Sequence, residues 1–188
     1  MTIFEEIEPT SNIDQGDVFT NVYFPAIDNY ADALVITPTC DIVQGKAQFI
    51  KFLSTVPSHF VVRIIADSVG IDDSYLSPDK PIAARKLEAL IKALRRNTTG
   101  DFLPRYYFLP AFPDILDSCY LDLQRTFAVS YKQVIEEYMS QRIARVLSPW
   151  REQILSSYAS YSMRIGTPSY SDNTFKVLLT NVGFTLPE

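Results

Sequence analysis

Hydrophobic and polar positions switch repeatedly between a two-residue and a helical period along the chain. Over residues 13–57 the apolar residues fall in short runs with a two-residue period, broken by turn formers. Residues 16–24, GDVFTNVYF, are β-branched and aromatic and stop at Pro25, which predicts a strand. Ala33, Leu34, Val35, Ile36 and Thr37 form a continuous apolar run cut by Pro38, the pattern of a strand buried on both faces. Residues 47–56, AQFIKFLSTV, follow a turn at Gln44, Gly45 and Lys46. Their alternation is imperfect, with Phe49 and Lys51 on one face and Gln48, Ile50 and Phe52 on the other. Three short strands joined by tight turns predict a small antiparallel meander or barrel.

Beyond residue 57 a helical period takes over. Residues 58–69, SHFVVRIIADSV, fit helix or strand, and a capping Ser58 favours helix. Residues 81–97 predict a helix, with Leu87, Leu90, Ile91 and Leu94 on one side. Pro81 suits its first turn, and basic residues followed by Gly100 suit its end. The two-residue period returns over 105–129, in RYYFLPAF and SCYLDLQRTFAV on either side of PDILD. A capping box at Ser130 and Gln133 predicts a helix over 131–146. Ser148 as cap and Pro149 at the first position predict another over 149–165. Trp150, Ile154, Tyr158, Tyr161 and Ile165 give that helix an apolar stripe, stopped by Gly166 and Pro168. Residues 174–180, TFKVLLT, read as a closing strand. No repeat or linker interrupts this pattern, so residues 1–188 read as a single α+β domain. Barrel-like strands over 13–57, 105–129 and 174–180 carry helical insertions and a mainly helical C-terminal third.

Composition narrows the function classes. Of 188 residues, 47% are hydrophobic and 21% charged, which is ordinary for a globular chain. A net charge of −5 argues against nucleic-acid binding through a broadly basic surface. Cys40 and Cys119 lie far apart without a CxxC spacing, so reduced thiols and a cytoplasmic setting are expected. The acidic start MTIFEEIEPTSN lacks the basic region of a conventional signal peptide, and no apolar window reaches ~18 residues. No membrane association is expected.

Candidate chemistry is sparse. Nucleophilic triads need an imidazole, and His59 is the only histidine. Two cysteines and one histidine at unrelated spacings make a poor zinc set, and six glycines include no phosphate-binding loop. No metal or cofactor is therefore expected. Three clusters remain. Thr37, Thr39, Cys40 and Asp41 follow the buried strand; Cys40 reads as a small buried residue, Asp41 as a cap for turn amides, and Thr39 and Cys40 as binding candidates. Arg85, Lys92, Arg95 and Arg96 form the strongest charge asymmetry and read either as a solvated helix face that complements the helix dipole or as a binding patch for phosphates or an acidic partner. Arg142, Arg145, Arg151, Glu152 and Arg164 read mainly as intramolecular ion pairs.

The segments IDQGDVFTNVYFP, ADALVIT and AQFIKFLSTVP together resemble the SH3-like barrel of PemK/MazF-type toxins, over about residues 13–57. Gly16 and Asp17 match the opening strand, and Ser54 or Thr55 takes the hydroxyl position at the end of the third. The resemblance implies cleavage of single-stranded RNA, assisted by an arginine just before the second strand. That arginine is missing here, where Tyr30, Ala31 and Asp32 precede Ala33. A distant cation such as Arg105 would have to replace it, with Asp41 or Thr55 assisting. The rest of the chain looks like bacterial proteins of mobile-element or antiviral-defence neighbourhoods. With no convergent catalytic set, the leading expectation is a non-catalytic interaction or regulatory subunit of a defence-type or toxin–antitoxin-type system. Its partner would be another protein or a second copy. A PemK-like endoribonuclease, and binding of RNA or nucleotide by the basic helix without turnover, are the alternatives.

Overall fold

A computed structural model describes residues 2–8, 11–72, 74 and 82–163. Seven antiparallel strands form one sheet in the order β1-β7-β2-β3-β4-β6-β5. The meander read from the sequence is present as β2 (Asp17–Phe24), β3 (Asn29–Val35) and β4 (Phe49–Pro57). β6 (Cys119–Ser130) then pairs along the outer side of β4, and β5 (Tyr106–Leu109) pairs with β6. The sheet is not closed into the expected barrel. β1 (Phe4–Glu6) and β7 (Arg142–Val146) extend it beside β2, leaving β1 and β5 as its two edges among the described residues.

The alternation in β4 was imperfect for a structural reason. Phe49 and Lys51 are exposed and Ile50 and Phe52 buried, as read. A bulge between Leu53 and Thr55 then shifts the phase, so Leu53 and Ser54 are both buried.

Neighbouring residues of the central strands feed opposite faces. Val18, Leu34, Leu53, Leu121 and Val146 build one core, covered by α5 (Trp150–Ser162) through the fully buried Ile154. The other face carries two clusters. Phe19, Val35, Ile50 and Phe52 pack under Val134 and Tyr138. Val56, Tyr106 and Tyr120 pack under α2 (Ser58–Ser68) and α3 (Ala84–Thr98). Residues 58–69 are therefore helical, and the 81–97 helix spans 84–98.

The helix expected over 131–146 is corrected. Ser130 does cap, accepting from Gln133 N at 3.2 Å, but the Gln133 side chain turns to Glu137 instead of reaching back. The helical run α4 (Tyr131–Gln133) continues through a π turn and a 3-10 turn to Gln141, and then becomes strand β7. Residues 142–146 alternate buried and half-buried, a two-residue period concealed in the sequence because Arg142 occupies a buried position. Trp150 opens the last helix, and Ser148 makes no capping bond to its amides. The stretch after Pro38, read as a turn, is a short helix, α1 (Thr39–Val43). The expected strand over 174–180, Ile165 and Arg164 lie outside the described residues.

Candidate functional site

Two buried aspartates consume the arginines that could have served a substrate. Asp17 is fully buried at the start of β2. Its carboxylate accepts from Arg142 Nη1 at 3.1 Å, Arg145 Nε at 2.5 Å and the amide of Asp14 at 2.8 Å. Arg142 also donates to the carbonyls of Ser11 and Asn12 at 2.6 and 2.8 Å, tying the segment before β2 to β7. Gly16 makes this approach possible. Its φ is +92°, and a Cβ there would lie 3.0 Å from both the Val146 carbonyl and Arg151 Cδ. The Gly16-Asp17 pair that carried the toxin resemblance thus serves packing and charge burial here.

Asp122 on β6 is the second. Arg105 grips it in a bidentate pair, Nε at 2.7 Å and Nη2 at 2.6 Å, and Arg125 approaches at 3.4 Å. The hydrogen bond to Asp122 raises the Arg105 pKa further. Arg105 therefore has a structural partner and is not a free cation.

The cluster after β3 is also largely structural. Thr37 Oγ1 accepts from Lys51 N at 2.7 Å, holding the end of β3 to β4. Thr39 Oγ1 donates to Asp14. Asp41 caps no amide with its carboxylate, whose neighbour is the Cys40 thiol at 3.7 Å; only its backbone carbonyl closes the turn, accepting from Lys46 and Ala47. The capping role expected of Asp41 is therefore corrected. Cys40, expected to be buried, is exposed, and Cys119 is the buried thiol.

Thr55 and His59 do come together, in a depression of about 620 Å³ where β4 passes into α2. Asp32 enters it from β3, and Asp117, Ser118 and Cys119 from the start of β6. Ser58 Oγ donates to the Ser118 carbonyl and lies 3.1 Å from its hydroxyl, fastening the two sides. Among the described residues, two carboxylates and no lysine or arginine line this space, so their field repels phosphate. Burial, with Asp32 and Asp117 nearby, pushes the Cys119 thiol up to about 12, which keeps it protonated at neutral pH. Asp41 lies at the other end of β4, because Thr37 meets Lys51 there while His59 follows Pro57. The six residue steps from Lys51 to Pro57 span about 20 Å at the strand rise. His59 therefore shares its depression with Cys119, at the opposite end of β4 from Cys40. Among the described residues no three His, Cys, Asp or Glu side chains gather to hold a metal. Asp32, Asp117, Ser118 and Cys119 went unassigned in the sequence, since only non-local strand pairing gathers them.

The basic helix presents a different surface. Arg85, Lys92, Arg95 and Arg96 on α3 are exposed, as are Leu87 and Ile91 between them. Arg96 lies over the Phe102 ring at 5.7 Å. Between α2 and α3 runs an apolar groove of about 350 Å³, walled by Val62, Ile91 and Leu94 and floored by Phe108 and Tyr120, with Arg95 at its lip. No helix of the described residues is long and apolar enough to cross a membrane. Comparison with family models, curated proteins and solved structures returns no match to this chain.

Proposed function

We propose that this chain is a non-catalytic interaction module, a regulatory or adaptor subunit that binds another protein in the cytoplasm. The observation that carries this reading is the commitment of its reactive groups. Arg105 is held by buried Asp122, while the depression containing Thr55 and His59 holds two carboxylates and, among the described residues, no lysine or arginine. Exposed apolar residues between positive charges on α3 suit an amphipathic, acidic protein surface better than a phosphate backbone. The β2–β3–β4 meander opened by Gly16 and Asp17 supports an SH3-like origin for that part of the sheet, elaborated by the added strands and helices.

Light scattering coupled to size exclusion, with and without extract from the native host, tests the reading. A stoichiometric complex with a second protein is expected. A monomer that retains no protein partner overturns it.

One observation favours a second reading, a PemK-like ribonuclease: Thr55 and His59 share one depression. It requires cleavage of mixed single-stranded RNA by the purified chain, lost in both Thr55→Ala and His59→Ala. Intact RNA removes it.

A further inference from the structure

We propose that the outer edge of β5, unpaired among the described residues, is a docking site for an extended peptide of a partner protein, which adds to the sheet as a further strand. The proposal rests on the interaction-module reading and names the partner's conformation and chemistry.

The argument begins with hydrogen-bond direction. Leu123 N donates to Arg105 O at 2.8 Å, so residues 105 and 123 form a hydrogen-bonded pair across the β5–β6 ladder. In an antiparallel ladder such pairs alternate with pairs whose N–H and C=O groups point away from each other. The registered pairs Tyr106↔Asp122 and Phe108↔Tyr120 are then the outward-pointing ones. Tyr106 confirms this, since its N–H donates to Leu103 O at 3.0 Å and its carbonyl accepts from Asn97 Nδ2 at 3.3 Å, both away from β6. Phe108 lies one step further along, and its N–H and C=O face the same edge. No described strand pairs there.

Two apolar pockets flank this edge on opposite faces of the sheet. One, about 300 Å³, is lined by Ile3, Tyr107, Leu109 and Trp150. The other is the 350 Å³ groove between α2 and α3. Both reach Phe108 and Thr98, so the strand edge is their common border. Successive side chains of a strand point to opposite faces. A peptide bonded to Phe108 therefore drops one apolar side chain into the first pocket and the next into the second. A helix laid in either pocket would use neither the outward backbone groups nor the second pocket. The Trp150 indole N–H, buried without an acceptor, sits in the wall of the first pocket. Arg95 at the lip of the second, with Lys92 one turn before it, calls for an acidic residue beside the apolar pair. Pro110 ends the edge just beyond, which limits the docked segment to a few residues.

The test is selection of random twelve-residue peptides displayed on phage against the full chain, followed by fluorescence polarisation with the synthetic peptide recovered. Adjacent apolar residues near an acidic one are expected. N-methylation should weaken binding about tenfold or more at alternate positions, where the amide faces Phe108, and be tolerated at those between. Ile91→Arg, at an exposed wall of the groove, should abolish binding with thermal unfolding unchanged, and Phe108→Pro, which removes the outward-facing amide together with the ring packed on Tyr120, should weaken it. A recovered peptide that tolerates N-methylation at every position, or binds as a helix by circular dichroism, overturns strand addition while leaving the interaction-module reading intact. Recovery of no peptide also overturns it, and the light-scattering experiment then judges that broader reading separately. Dimerisation lost in Phe108→Pro would replace the partner peptide with a second copy and overturn the proposal as stated.

Discussion

Asp17 and Arg142 form an ion pair at 3.1 Å with side chains 0% and 1% exposed, joining residues 125 positions apart in the chain. A buried pair of this kind stabilises little relative to an apolar replacement, yet losing Asp17 strands the buried Arg142 charge, and losing Arg142 leaves Asp17 with Arg145 alone and frees the Ser11 and Asn12 carbonyls. Asp17→Asn and Arg142→Met should each lower unfolding free energy by about 3–5 kcal/mol. The double variant should lose less than the sum, because neither charge is then stranded. Urea denaturation of the four proteins measures this, and strict additivity would contradict it.

Gly16→Ala tests the close approach behind that pair. The substitution places a Cβ 3.0 Å from the Val146 carbonyl at a φ of +92°. A loss of more than about 1 kcal/mol is expected. A melting temperature equal to that of the parent would show that β7 and Arg151 shift without cost.

The two thiols should behave oppositely. Exposed Cys40 should react with Ellman's reagent in the folded protein, and buried Cys119 only after unfolding. The Cys119 pKa, raised from 9.0 to about 12, also sets a sign for stability. The unfolded thiol loses its proton first as pH rises, so the contribution is intact below 9.0 and is lost progressively as pH climbs toward 12. Cys119→Ala should flatten that part of the alkaline stability curve, and an unchanged slope would refute the assignment.

Asp41→Asn should leave stability within about 0.5 kcal/mol, because the carboxylate caps no amide. Asp14→Asn should cost more, since the Asp14 carboxylate binds both Thr39 and the Gln15 amide. Denaturant midpoints compare the two, and the reverse order would restore the capping role to Asp41.

The elements legible in the sequence are those whose apolar period matches their local environment. Leu90 and Leu94 sit against the α2 and β5 cluster as their helical spacing implies, and Ile50 and Phe52 alternate as strand residues should. β7 was hidden because Arg142 fills a core position, made tolerable only by Asp17 far upstream. β1 was hidden because two exposed glutamates, Glu5 and Glu6, follow its single buried residue Phe4, on which the ring of Phe112 stacks at 5.4 Å. The candidate site was harder still. Thr55 and His59 could be named individually, but Asp32 joins them only through β3–β4 pairing, and Asp117 and Cys119 only through β4–β6 pairing across more than fifty residues. Likewise, the bidentate grip of Asp122 on Arg105 had no local signal.

The strand order also dictates a sequence of events in time. β2 can pair with β3 as soon as the first few dozen residues exist, but its other neighbour, β7, is made more than a hundred residues later. Until β7 arrives, Asp17 has no arginine to accept from, and its carboxylate stays in water. The β2–β3–β4 meander is thus the part of the sheet that can pair first, with one side open. Docking of β7 on β1 and β2 closes the longest loops in the fold and so carries the largest closure entropy. Substitutions at Arg142 should then mainly accelerate unfolding, whereas those at Leu34 or Phe52 should slow folding itself.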